Sequence, residues 1–352
     1  MTIHPPAKAF ITGCAGARLS REEIHFLRDE RPLGLILFKR NCRESAEISD
    51  LVAAFRDAVG NPLALVLIDQ EGGRIQRLEP PIWPQYPAAG IFGALAQDEV
   101  EEGERAAYLA ARLIAADLTA LGISVDCLPV LDLAVTGSHA VIGERAYGQT
   151  PNLVARLGRA AANGLLEGGV LPVIKHIPGH GRAEADSHLE LPVVTTPALE
   201  LEKQDFAPFA ALSDLPLAMT AHVVYRAIDP AHPATLSAII IDKVIRGHIG
   251  FEGLLMSDDL SMGALSGDMA LRTKAALGAG CDVGLHCNGD FGEMNVVAGN
   301  TPELAGLARE RAISALAALH PPKPFDAGEG REELLALTTR AGWPPRPEGR
   351  RA

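Results

Sequence analysis

Two stretches of this chain gather side chains able to do chemistry. The first, KHIPGHGRAEADSHLELP at 175–192, holds His176, His180, Asp186 and His188 within one short span. His176 and His180 stand four apart, a spacing that on a helix aims two imidazoles at one zinc ion. Pro178 and Gly179 oppose that helix and no HExxH occurs, so the stretch reads as a sharply turning loop and no metal is expected. Asp186 and His188 are spaced so that a carboxylate can orient and charge-stabilise an imidazole, the partnership that makes histidine an acid/base. A surface turn with a solvated charge is the plain alternative. The second stretch, GLLMSDDLSM at 253–262, is an apolar run that ends in two carboxylates. A carboxylate at the top of a buried strand is costly to desolvate, so it is expected to face a ligand or an arginine. Asp259, at a strand-to-helix junction, suits an N-cap, which leaves Asp258 as the candidate catalytic group.

Such groups need elements to carry them. Short apolar, β-branched runs recur near 9–14, 33–38, 64–69, 125–131, 171–176, 216–221, 253–257 and 282–286. Helical patterns separate them. The clearest is the stripe Ile48, Leu51, Val52, Phe55 and Val59, and a second runs Leu109, Leu113, Ile114, Leu118 and Leu121. Others fall at about 151–167, 200–212, 237–248, 268–279 and 302–319. Strands alternating with helices to this count predict a single (β/α)8 TIM barrel over 1–320 rather than an open doubly wound sheet. Residues 321–352, Pro- and charge-rich around one short helical pattern, REELLALTTRAG, read as an appended tail. In such a barrel the active site lies where strands end. Asp69, Asp132, Lys175, His176, His222, Asp258, Asp259 and Asn288 all fall at those points. Any one of them suits a cap or a turn, but their convergence on one rim favours function.

Composition narrows the partners. With 47% hydrophobic and 22% charged residues the chain has material for a large core. A formal net charge of -12 and the lack of a basic stripe argue against nucleic-acid or anionic-membrane surfaces and favour a small substrate. Neither GxGxxG after the first strand nor GxxxxGK[ST] occurs, so nucleotide binding is not expected. Five scattered cysteines, no signal-like apolar run and no membrane-length segment point to a reducing cytoplasm.

The stretches LGLILFKRN, IDQEGGRIQR, KHIPGHGRAEADSHLELP, MTAHVVYRAIDPAHPATLS and LLMSDDLSM, in this order over roughly 33–262, resemble glycoside hydrolase family 3, and within it the single-domain β-N-acetylglucosaminidases that act in peptidoglycan recycling. The resemblance implies a nucleophile at Asp258 and an acid/base at His188 paired with Asp186. It also implies that Asp69, Arg77, Arg145, Lys175 and His176 hold the hydroxyls and acetamido group of the terminal sugar. Retaining glycosidases usually use two carboxylates, and here a histidine takes the second place. With an ordinary pKa of about 6.5, such a histidine can protonate the leaving oxygen and then activate water. Larger relatives draw the acid/base from a second domain that this chain is too short to contain. Ile177 stands where an aromatic residue is common, His286 replaces an apolar one, and the first strand lacks the Asp and Gly pattern expected after it. The expected activity is release of terminal β-linked N-acetylglucosamine with net retention, from a small carbohydrate or muropeptide, by a monomer with no metal or organic cofactor. Three other readings remain open at this point: phosphorolysis at the same site, a Schiff-base aldolase using Lys175, and a non-catalytic sugar-binding barrel.

Overall fold

Alternation along each strand decides which side chains fill the barrel and which face the helices. Ile11, Leu65, Leu67, Val125, Val173, Met219, Met256 and Leu285 belong to one buried cluster. Phe10, Val66, Ile68, Ile174, Ala218 and Leu255, their alternates, belong to the other, which joins strands to helices. The computed structural model describes residues 6–137, 140–183 and 185–343. Its barrel strands are β1 (Lys8–Thr12), β2 (Pro32–Leu37), β3 (Leu65–Ile68), β4 (Val125–Asp126), β5 (Leu171–Ile177), β6 (Leu217–Thr220), β7 (Leu254–Asp259) and β8 (Val283–His286). They are parallel and close into one barrel in sequence order, β8 pairing with β1. The (β/α)8 expectation is met.

Several elements differ from expectation for local reasons. The fourth strand, expected over 125–131, is regular only at Val125–Asp126. Pro129 has no N–H to donate, so the chain continues beside β5 through scattered bonds: Val173 N–H to Leu128 O, Lys175 N–H to Pro129 O and Leu131 N–H to Lys175 O. The helix expected over 200–212 is two pieces, Ala198–Lys203 and Ala207–Ala211, because Pro208 is tolerated only in a first turn. Ile240–His248 is wound as a wide π-helix. The helix carrying Leu109 to Leu118 starts earlier, at Val100, and helices Ala89–Asp98 and Phe291–Gly299 have no counterpart among the periodic patterns. Residues 321–343 pack back onto the barrel. The Arg112 guanidinium lies 4.6 Å from the Phe325 ring centre, Arg105 chelates Glu333 at 2.7 and 2.8 Å, and helix Ala327–Arg340 buries Leu334 and Thr338. No helix among the described residues is long and apolar enough to cross a membrane.

Candidate active site

The turn after β3 is held mainly by its own polar atoms. Gln70 Oε1 accepts the Arg77 and Leu78 amides at 2.8 and 3.0 Å, and the Gln70 amide donates to Asp126 Oδ1 at 2.9 Å. Gly72, at φ +91°, packs so closely on the Pro87 carbonyl that a Cβ would collide with it. The turn thereby sets Asp69 and Glu71 on either side of Lys175.

Lys175 Nζ lies 2.9 Å from Asp69 Oδ1 and 2.6 Å from Glu71 Oε1. Arg77 reaches Asp69 Oδ2 at 3.0 Å, and Arg145 grips both Glu71 oxygens at 2.8 Å. Burial alone would raise both carboxyls, but the neighbouring cations outweigh it. Asp69 is held far below the usual range by Lys175 and Arg77, and Glu71 is brought down to about 2 by Arg145 and Lys175. Burial would likewise lower Lys175, and the two carboxylates instead keep it protonated. Arg77 Nε is buried with no protein partner among the described residues.

β5 delivers His176, whose Nδ1 is 2.7 Å from the buried Asp132 carboxylate. Asp132 Oδ1 accepts the His180 amide at 2.6 Å, and His180 Nε2 in turn lies 3.0 Å from the Ser187 hydroxyl. Burial brings His180 down to about 4, so it is neutral at ordinary pH. The hydrogen bond to buried Ser187 anchors the loop between Asp186 and His188. The Gly263 and Ala264 amides, donating to the His188 and Ser187 carbonyls at 3.2 Å, hang it on the turn after β7. His188 itself is 64% exposed at its side chain, with Nδ1 2.8 Å from Asp186 Oδ1. Nε2 is the ring nitrogen that Asp186 does not engage.

Asp258 is the penultimate residue of β7, and its Oδ1 accepts the Asp259 amide at 2.8 Å. Burial would raise this carboxyl, but His222 and His176, when they carry a proton in acid, together with that amide lower it, so at neutral pH it is an anion. Asp259 is occupied elsewhere, accepting from the Ser261 amide and hydroxyl at 3.0 and 2.6 Å and from the Cys287 amide at 3.1 Å. The expected N-cap role is not met: the next helix, Met269–Ala279, is capped by Asp268, and Asp259 closes the turn after β7 instead.

A pocket of about 190 Å³ opens at the C-terminal ends of the strands and is lined by Asp69, Arg77, Arg145, Lys175, His176, His188 and Asp258. The structure thus brings together the residues singled out from the sequence, with Asp186 behind His188. Asn288 does not join them and bonds Glu293 at 2.7 Å. His222 lies fully buried and outside the pocket lining. Glu71 was not anticipated. The signal for it was electrostatic: Arg77, Arg145 and Lys175 in one pocket require more than the single carboxylate of Asp69. No group of three or more His, Cys, Asp or Glu side chains that could hold a metal ion occurs among the described residues. An ionised, half-buried carboxylate, an accessible imidazole and a wall of paired charges can together attack and protonate an acetal.

Residues 10–310 match the family model described as the glycosyl hydrolase family 3 N terminal domain. A β-hexosaminidase of Alkalilimnicola ehrlichii is 41% identical over 280 residues, covering 78% of this chain and 79% of that protein. One of Xylella fastidiosa is 39% identical over 312 residues, covering 86% and 92%. Among solved structures, native NagZ from Neisseria gonorrhoeae superposes with a TM-score of 0.85 at 32% identity, covering 97% of this chain and 99% of that one.

Proposed function

The chain belongs to glycosyl hydrolase family 3 and is a glycoside hydrolase of the β-hexosaminidase type, and from that premise we propose that it releases terminal β-linked N-acetylglucosamine with net retention, Asp258 acting as nucleophile and His188 as acid/base. The observation that carries this is the contrast between the two groups. Asp258 is a half-buried anion in the pocket, whereas His188 stands exposed at its mouth with Nδ1 on Asp186 and Nε2 unengaged by it. In the first half-reaction Asp258 attacks the anomeric carbon while His188 gives its proton to the departing oxygen. In the second, neutral His188 takes a proton from water as water displaces Asp258. Asp69, Arg77, Arg145, Lys175 and His176 hold the sugar, with Glu71 as the counter-charge of the last two cations of the wall, Arg145 and Lys175.

Hydrolysis is favoured over phosphorolysis because Arg77, Arg145 and Lys175, the cations of the pocket wall, are each already paired with a carboxylate. A Schiff-base role for Lys175 is disfavoured by the same pairing, since a lysine held protonated is no nucleophile. The aglycone we propose is the 1,6-anhydro-muropeptide type, in a monomeric cytoplasmic enzyme of peptidoglycan recycling. The five free cysteines fit a reducing compartment. Incubation with anhydro-muropeptides and chitobiose, in buffers with and without phosphate, is the test. Free N-acetylglucosamine in both buffers is expected, and accumulation of its 1-phosphate would overturn the hydrolytic reading. Turnover of chitobiose with anhydro-muropeptides left intact would overturn the aglycone.

A further inference from the structure

The stretch MTAHVVYRAIDPAHPATLS, residues 219–237, contributes only Met219 to the pocket lining, yet among its fully buried polar side chains are Thr220, His222 and Thr235. These three form a chain that begins and ends on the backbone around the nucleophile. The Asp258 amide lies 3.3 Å from Thr220 Oγ1, and Thr220 Oγ1 lies 2.7 Å from Thr235 Oγ1. Thr235 Oγ1 is 2.7 Å from His222 Nδ1, and His222 Nε2 is 3.0 Å from the Asp259 carbonyl oxygen.

The proton positions follow from what each end can do. A carbonyl oxygen only accepts, so His222 Nε2 carries a proton. A backbone amide only donates, so Thr220 Oγ1 accepts at the other end. Burial pushes the His222 imidazole toward its neutral form, which leaves Nδ1 bare and able to accept from Thr235. Thr235 then takes the Thr220 hydroxyl proton and gives its own to Nδ1 in preference to the Ala221 carbonyl at 3.1 Å. All four bonds run in one direction, from the Asp258 amide round to the Asp259 carbonyl. Between those two ends lies the Asp259 amide, which itself fixes Asp258 Oδ1.

We propose that Thr220, Thr235 and neutral Nε2–H His222 are positioning residues for the nucleophile, clamping the backbone on both sides of the amide that orients the Asp258 carboxylate. This rests on Asp258 being the nucleophile. The clamp touches no substrate. Its effect is on the placement of an attacking oxygen, where an error of about 1 Å costs on the order of 100-fold in rate.

The test is Thr235→Val, which keeps the side-chain shape and removes the hydroxyl at the centre of the chain, compared with Thr235→Ser, which restores it. On an aryl β-N-acetylglucosaminide, Thr235→Val is expected to lower kcat roughly 10- to 100-fold with KM within about twofold, and Thr235→Ser to recover most of it. A kcat at the wild-type level in folded Thr235→Val, or a loss in Thr235→Ser as large as in Thr235→Val, would overturn the clamp. The wild-type enzyme supplies a second readout that does not depend on any variant folding. Its imidazole 15N resonances, with His222 assigned by loss of its signal in His222→Gln, should show a neutral ring protonated on Nε2 at pH 7. A cationic ring or a proton on Nδ1 alone would overturn the hydrogen-bond order. Asp258→Ala is measured in parallel. If that variant turns over normally, the nucleophile reading fails; if it is inactive while Thr235→Val is normal, only the clamp fails.

Discussion

Changing Glu71 to glutamine removes one negative charge from beside two buried cations and leaves the side-chain volume nearly unaltered. The Glu71 side chain is 4% exposed and that of its partner Lys175 2%. Burial opposes its ionisation, but Arg145 and Lys175 bring its carboxyl from 4.5 to about 2. At about 1.4 kcal/mol per unit, that difference corresponds to about 3 kcal/mol of native-state stabilisation at neutral pH. The same figure follows independently from the cost of breaking a buried ion pair, on the order of 3–5 kcal/mol, because the orphaned cations stay desolvated. For a chain of this length the expected fall in Tm is about 4 °C. The sign with pH is fixed. A carboxyl depressed in the folded state contributes fully above its unfolded value and loses that contribution as pH falls through its folded value. The gap between wild type and Glu71→Gln should therefore be constant from pH 7 to about 4.5, close below that, and vanish near about 2. Urea unfolding of both proteins at pH 7 and at steps down to about pH 3 measures it. Equal midpoints at pH 7 would refute the reasoning. A gap undiminished at the acidic end would show that lost packing, not lost charge, is responsible.

Replacing His188 with alanine should lower kcat/KM on the order of 100- to 10,000-fold for substrates with poor leaving groups and far less for activated aryl glycosides; equal losses of kcat/KM on both would contradict its acid role. The acid limb of kcat/KM that reports Asp258 should lie below the ordinary aspartate value of 3.8, because histidines and an amide hold the carboxyl down; a limb assigned to Asp258 well above that value would show that burial prevails. Borohydride added with a carbonyl substrate should leave Lys175 unmodified, since Asp69 and Glu71 keep it protonated; a reduced adduct on Lys175 would reverse that reading.

What could be read from the sequence tracked the reach of each interaction. Strand runs and strand-end polar residues are short-range signals, so the barrel and Asp69, Lys175, His176 and Asp258 were legible, as was His188 from its spacing to Asp186, whereas Arg77 and Arg145 came only from the family resemblance. Asp258 and Asp259 were separated by the same local logic, and the structure places the Asp259 carboxylate on Ser261 and Cys287 amides. Helix limits were less legible, because Pro208 splits one pattern and charged turns such as 100–108, with three glutamates and an arginine, lack a strong apolar stripe. Glu71 was missed because its partners, Lys175 and Arg145, are distant in sequence and meet it only once β3 and β5 close the barrel. The Thr220, His222 and Thr235 chain was hidden for the same reason: its other end is the backbone of β7, where no side-chain type announces it.

The most direct test of Asp258 as nucleophile uses His188→Ala with an activated aryl β-N-acetylglucosaminide. The activated leaving group needs no acid, whereas the second half-reaction has lost its base, so a glycosyl-enzyme should accumulate. Acid-quenching during turnover and locating the adduct by peptide mass spectrometry should find one N-acetylhexosamine on the Asp258 side chain. An adduct on any other residue, or product formed at a steady rate by an unmodified protein, would contradict the assignment.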